Sequence, residues 1–252
     1  MSFKGNIMAY KAYLSQAKSM TALDKQNYAE AVECENKALA GYEKAMENGM
    51  NQVNYLNAYV VLLLRTGHFD KAMEVIRTLE KQSGLNDEQR RRLTVNYAIC
   101  QWKLGDLDHA VGAMKELAKT YKNSTVYGSL GYMLIERGDK TGDYSEAKAF
   151  NDEAMDYDDE DAVVLDNVGQ YYHRTGDYDN ARKYFEKALE IRPNQVDSMY
   201  FLAKVKQAQG DIEGAKALID KAIGIHFSAL ATVTPELLKQ YREELNAAGK
   251  AQ

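Results

Sequence analysis

Apolar residues return along most of this chain at helical intervals, and short polar breaks centred on glycine interrupt them. The clearest stretch is Ala162–Pro193. Leu165, Val168 and Tyr172 stand at i, i+3 and i+7, on one face of a first helix. Gly176-Asp177 then breaks the run. Glycine reaches the left-handed conformation that ends a helix, and an aspartate there can cap the N–H groups of the next. Tyr178, Ala181, Phe185 and Ala188 form one face of a second helix, with Asp179 in its first turn, where the helix dipole favours negative charge. Gly169, Ala181 and Ala188 are small where larger side chains would hold the two helices apart, and Tyr172 and Phe185 fill the space beside them. Pro193 marks the exit.

The unit repeats. Gly176-Asp177 recurs 34 residues on as Gly210-Asp211, and Ala181 recurs as Ala215. In the other direction Ala147, Ala110 and Ala72 follow at steps of 34, 37 and 38. The predicted helix pairs are a divergent first one over 6–48, then 53–82, 91–122, 124–157, 162–193 and 196–226. Ile7, Tyr10 and Leu14 are read as the apolar face of the first helix. In the fourth pair, Gly138-Asp139-Lys140-Thr141-Gly142-Asp143 doubles the turn with four extra residues, which predicts a longer surface loop. Thr234-Pro235 supplies an N-cap and a first-turn proline for a last helix over 234–247. Its polar outer side (Lys239, Arg242, Glu243, Glu244) suits the cap of a stack.

The expected fold is therefore all-α: an α-solenoid of about six antiparallel helix pairs with a C-terminal capping helix, one superhelix over 1–252. A helix–turn–helix unit at a 34-residue period, carrying Leu165, Val168-Gly169, Tyr172, Ala181, Phe185, Ala188 and Pro193, resembles the tetratricopeptide repeat (TPR) family. The resemblance covers 53–226, as five repeats, and is specific for fold rather than function. It implies a non-enzymatic scaffold that binds a protein or peptide segment in a concave groove lined by the first helix of each pair.

Composition narrows the alternatives. The densest apolar run, Ala58–Leu64, is far short of the roughly 20 residues a membrane span needs. Net charge is -5 and no basic block stands out, so nucleic acid is not an expected partner. Cys34 and Cys100 are isolated and lack CxxC spacing, which predicts neither disulfide nor metal site. His68, His109, His173 and His226 occupy non-equivalent positions without a serine, cysteine or carboxylate pair at a catalytic spacing. No glycine-rich phosphate loop is present. The acidic run Asp156–Asp161 fails the EF-hand pattern, with Asp161 at its sixth position and Asn167 at its twelfth. No catalytic residue, metal or cofactor is expected. Reduced cysteines and the start MSFKGNIMAYKAYLSQ, without a cationic-then-apolar leader, favour the cytoplasm. A chain trimmed behind an upstream leader or anchor would present the same start.

By the resemblance, the groove stripe contains Val61 and Leu64, then Arg92, Val95, Ile99 and Trp102, then Thr125, Gly128, Tyr132 and Ile135. It continues with Val163, Asp166, Gln170 and His173, and with Asp197, Tyr200, Lys204 and Gln207, turning from apolar to polar. Asn96 and Asn167 hold equivalent repeat positions, where related proteins use an amide to grip a peptide backbone. The expected site is thus Leu64, Ile99, Trp102 and Tyr132 as apolar anchors, with Asn96 and Asn167 as backbone clamps. The alternative is a self-associating module, a homo-oligomer whose groove or end faces associate; apart from it stands burial of Ile99, Trp102 and Tyr132 under the first helix pair or a second copy. A regulatory part of an enzyme ranks third.

Overall fold

A computed structural model describes residues 3–248; Met1, Ser2 and residues 249–252 lie outside it. The described residues form thirteen helices and no strand: α1 Phe3–Asp24, α2 Tyr28–Glu47, α3 Val53–Arg65, α4 Phe69–Glu80, α5 Asp87–Lys103, α6 Leu107–Ala118, α7 Ser124–Thr141, α8 Ser145–Tyr157, α9 Ala162–Arg174, α10 Tyr178–Ile191, α11 Val196–Ala208, α12 Ile212–Ile223 and α13 Pro235–Ala248. None is long and apolar enough to cross a membrane. The helices group into two compact units: residues up to Ala110 together with Ser228–Leu230, and Val111–Phe227 with the residues from Ala231 on. The division falls inside α6.

Local chemistry sets the helix boundaries. At Gly176 the backbone takes φ 83°, and the Asp177 N–H returns to the Tyr172 carbonyl at 2.9 Å. The Asp177 carboxylate then accepts the Asn180 N–H at 3.1 Å, capping α10. Asp211 does the same for Gly214 at 2.8 Å, and Thr234 accepts the Leu237 N–H at 3.2 Å to open α13. Asp161, from the acidic run, caps α9 through the Val163 N–H at 2.7 Å.

The extra residues of the fourth pair do not lengthen a loop. They extend α7 by about one turn, at 3.6 residues per turn, and the helix ends at Gly142 with φ 76°. Gly138 is buried inside this added turn, because a Cβ there would stand 2.4 Å from the Tyr144 ring. Asp139, one residue on, accepts from Arg174 Nε at 2.9 Å and from the Tyr144 hydroxyl at 2.6 Å. An insertion that forms such contacts is held as helix rather than released to solvent.

In the second unit the α9–α10 pair interlocks through Gly169, Ala181, Phe185 and Ala188, whereas Tyr178, expected on the same face, is 38% exposed at the start of α10. A Cβ on Gly169 would meet the Phe185 ring at 2.8 Å, so glycine is what lets the ring in. Phe185, Ala181 and Ala188 are fully buried, and Phe185 stacks on Phe201 at 6.1 Å.

In the first unit α1 is turned the other way round. Its buried side is small and polar: Gly5, Ala9, Ala12, Gln16, Ser19 and Ala22. The backbones of α1 and α2 approach closely, so that a Cβ on Gly41 would lie 2.9 Å from that of Ala12. Tyr42 stacks on Tyr59 at 4.9 Å and donates its hydroxyl proton to Gln16 Oε1 at 2.8 Å. Ile7, Tyr10 and Leu14, expected to pack inward, are 42%, 51% and 44% exposed. The small face won because helices this close leave no room for large side chains between them.

Candidate functional site

The six expected contact residues divide between the units. Leu64, Asn96, Ile99 and Trp102 belong to the first, Tyr132 and Asn167 to the second. Two of them are consumed by the fold. Leu64 is 2% exposed in the core of the first unit, so it is closed to an incoming segment. Asn167 is 1% exposed and donates its amide N–H to the Gly128 carbonyl of α7 at 2.9 Å. It does hold a backbone carbonyl, but one of this chain.

Asn151, which the repeat pattern did not single out, acts beside it. Its amide donates to the Gly131 carbonyl at 3.2 Å and the Ala147 carbonyl at 2.8 Å, and it is equally buried. A Cβ on Gly131 would strike both amides, at 2.4 Å from Asn151 and 2.9 Å from Asn167. Glycine in α7 thus makes room for two amide clamps, and that glycine spacing is the signal that would have pointed to them.

Tyr132 is partly buried, and its hydroxyl bonds to Thr232, in the link between α12 and α13. Burial pushes this phenol well above the ordinary tyrosine range. Thr232 is itself anchored: Asp197 Oδ1 accepts the Thr232 N–H at 2.9 Å, the Thr232 hydroxyl at 2.6 Å and the Val233 N–H at 3.0 Å. One carboxylate therefore grips two consecutive backbone N–H groups of the link. Within the second unit, the chain's own link is the partner of Tyr132.

The polar part of the predicted stripe is also covered from within the second unit. Asp166 and Gln170 are 5% and 1% exposed. Asp166 accepts from the Ser198 hydroxyl at 2.5 Å and from the Gln170 amide at 2.7 Å. Burial first, and the neighbouring Asp197 second, raise its carboxyl above the ordinary range. Tyr200 is buried against Tyr241 of α13, Lys204 Nζ stands 4.9 Å over the Tyr241 ring, and the Tyr241 hydroxyl donates to Gln207 at 2.8 Å. The capping helix lies on side chains that the repeat pattern assigned to an open groove.

In the first unit, the same link seats residues 228–230. The Ala229 N–H and the Ser228 hydroxyl both donate to the Arg65 carbonyl, at 2.8 and 3.2 Å, and Leu230 packs against the core. Arg65 ends α3, where a carbonyl has no partner inside its own helix, so a backbone N–H from outside the helix can dock there. On α5, Asn96, Ile99 and Trp102 are partly buried and follow each other at three-residue steps on one side of the helix. Ile99 leans on the core, and Lys103 Nζ stands 4.2 Å over the Trp102 ring. Cys100, between them, is buried and donates its thiol to the Phe69 carbonyl at 3.1 Å; burial pushes its pKa up to about 11. No group of three His, Cys, Asp or Glu side chains that could hold a metal occurs among the described residues.

Comparison with known proteins agrees on the architecture. Three profiles described as tetratricopeptide repeats match residues 60–136, 125–194 and 172–229. Among solved structures, TTC0263, a thermophilic TPR protein of Thermus thermophilus, aligns with TM-score 0.62 and 20% identity, over 78% of this chain and 100% of its own. The APC/C hetero-tetramer Cut9-Hcn1 aligns with TM-score 0.60 and 18% identity, over 94% of this chain and 49% of its own. No curated protein matches the sequence.

Proposed function

Because the chain belongs to the tetratricopeptide-repeat family, whose members generally serve as interaction scaffolds rather than catalysts, we propose that it binds an extended protein segment on the α5 face of its first unit. Ile99 and Trp102 are the apolar anchors and Asn96 the backbone clamp. The observation that carries this reading is the state of these three residues. Leu64 and Asn167 are used up in the core, Tyr132 is occupied by Thr232, and Asn96, Ile99 and Trp102 keep part of their surface at regular helical steps. The chain's own link shows that main-chain groups outside the helices can be held in this way, since its backbone N–H groups are bound at Arg65 in one unit and at Asp197 in the other. A partner segment would meet the same physics: main-chain bonds for hold, apolar side chains for selection.

Trp102 is the only tryptophan, so its fluorescence reports this face alone. A segment that binds as proposed should shift Trp102 emission, and Trp102→Ala should weaken it by about 2 kcal/mol or more, the scale of a hot-spot aromatic. A binding segment that leaves both the emission and the affinity unchanged removes α5 as the site.

A further inference from the structure

The exposed face of α1 has an order that packing within the chain does not use. Phe3, Ile7, Tyr10 and Leu14 follow each other at steps of four, three and four, and Ala17 and Thr21 continue the rule. This is the a/d spacing of a heptad, which lets one helix insert its side chains between those of another. All six are exposed, Phe3 at 80%. Lys4, Lys11 and Lys18 stand seven residues apart, each directly after a d position, and all are exposed. They form a cationic row along one edge of the apolar stripe. The only acid of the helix is Asp24, at its end. The opposite edge, Asn6, Tyr13 and Met20, is uncharged and turned partly towards its own unit: Tyr13 leans on Tyr55 at 6.3 Å, and Met20 touches Arg65.

We infer that the outer face of α1 docks an amphipathic helix of a partner protein whose flanking edge is acidic. Charge selects this occupant. Two α1 helices paired antiparallel would set their lysine rows against each other, and paired parallel they would set lysines against Asn6, Tyr13 and Met20, with no acid to meet them. A helix with glutamates at the facing positions neutralises all three lysines while filling the stripe. A lipid surface needs no heptad register, whereas the 4-3-4 steps are what a partner helix reads.

The test uses the full chain and two labelled synthetic helices of about three heptads, identical at a and d, with either Glu or Lys at the flanking positions. At low salt the Glu helix should bind about tenfold or more tighter than the Lys helix, and the gap should shrink as salt rises. The triple variant Lys4→Glu/Lys11→Glu/Lys18→Glu, checked for unchanged helix content, should reverse the preference. Equal binding of both helices, or no binding of either, overturns the proposal. So does a concentration-dependent mass of the chain alone that Leu14→Glu abolishes, which would make the occupant a second copy. Co-sedimentation with phosphatidylserine vesicles without any preference for the Glu helix would assign the face to lipid and overturn it equally.

Discussion

The α1–α2 pair and the α9–α10 pair solve the same problem with opposite faces. In α9–α10 a glycine on one helix receives a phenylalanine from the other, and large side chains meet in the middle. In α1–α2 small residues line the contact, and the large apolar side chains of α1 point outwards. Both are helical hairpins with a fully buried seam. The difference teaches that size, not only hydrophobicity, decides which face closes. Close backbone approach over many small contacts can outcompete the burial of larger groups, because dispersion falls off steeply once a gap opens. It also separates two uses of apolar surface. Phe185 is committed to the fold, whereas Leu14 is left for something else.

The sharpest way to strain that comparison is to empty the interlock. Phe185→Ala should destabilise the second unit by about 3–5 kcal/mol, since Gly169 opposite has no side chain with which to fill the space. Urea midpoints measure this. A loss below about 1 kcal/mol would mean that Gly169 and Phe185 are not the seam that holds α9 to α10.

Asn167→Ala comes next. It removes the donor to Gly128 in a site that is 1% exposed, and should cost about 1–3 kcal/mol. If Asn167 instead served an incoming segment, stability would hold and only affinity would fall.

This residue also marks where sequence reasoning stopped. The helices, their turns and the α9–α10 seam were legible because each rests on local chemistry: periodicity, a left-handed glycine, a capping aspartate. Asn167 was recognised as a clamp, but what it clamps depends on α7, more than thirty residues away, and on Gly128 and Gly131 letting it in. For α1, two stripes satisfy the helical period equally, Gly5-Ala9-Ala12-Gln16 and Ile7-Tyr10-Leu14, and hydropathy favours the wrong one. The added turn of α7 looked like a loop because Gly138 is read as a break, although a buried glycine under Tyr144 serves packing. The link over Phe227–Val233 has no period at all, so nothing in it announced that Thr232 and Val233 would be held by Asp197.

A smaller effect follows from charge in the second unit. Burial, with help from Arg174 and Lys204, lowers His173 from its ordinary 6.5 to about 4. A histidine lowered in this way adds stability that is complete above pH 6.5 and is lost as pH falls towards 4. Asp166 has the opposite sign, since its raised carboxyl favours acid. His173→Gln should therefore remove the histidine's own share of the pH dependence between these two values, about 2 kcal/mol, leaving the Asp166 trend exposed. Parallel urea titrations at pH 7 and pH 4.5 read the change; identical slopes in both proteins would show that His173 does not titrate there.

The smallest effect separates the two hairpins most cleanly. Leu14→Ser on α1 should change stability by no more than about 0.5 kcal/mol, the usual range for an exposed position. A buried leucine of the same size, such as Leu165 at 1% exposure, should lose about 2–5 kcal/mol on truncation. Both sit on an i, i+3, i+7 stripe in the first helix of a pair, so sequence periodicity assigns them the same role. Thermal unfolding of the two variants decides between them. A large loss at Leu14 would put its side chain in a core and return the outer face of α1 to the fold. A negligible loss leaves that face, with its row of lysines, available to a partner.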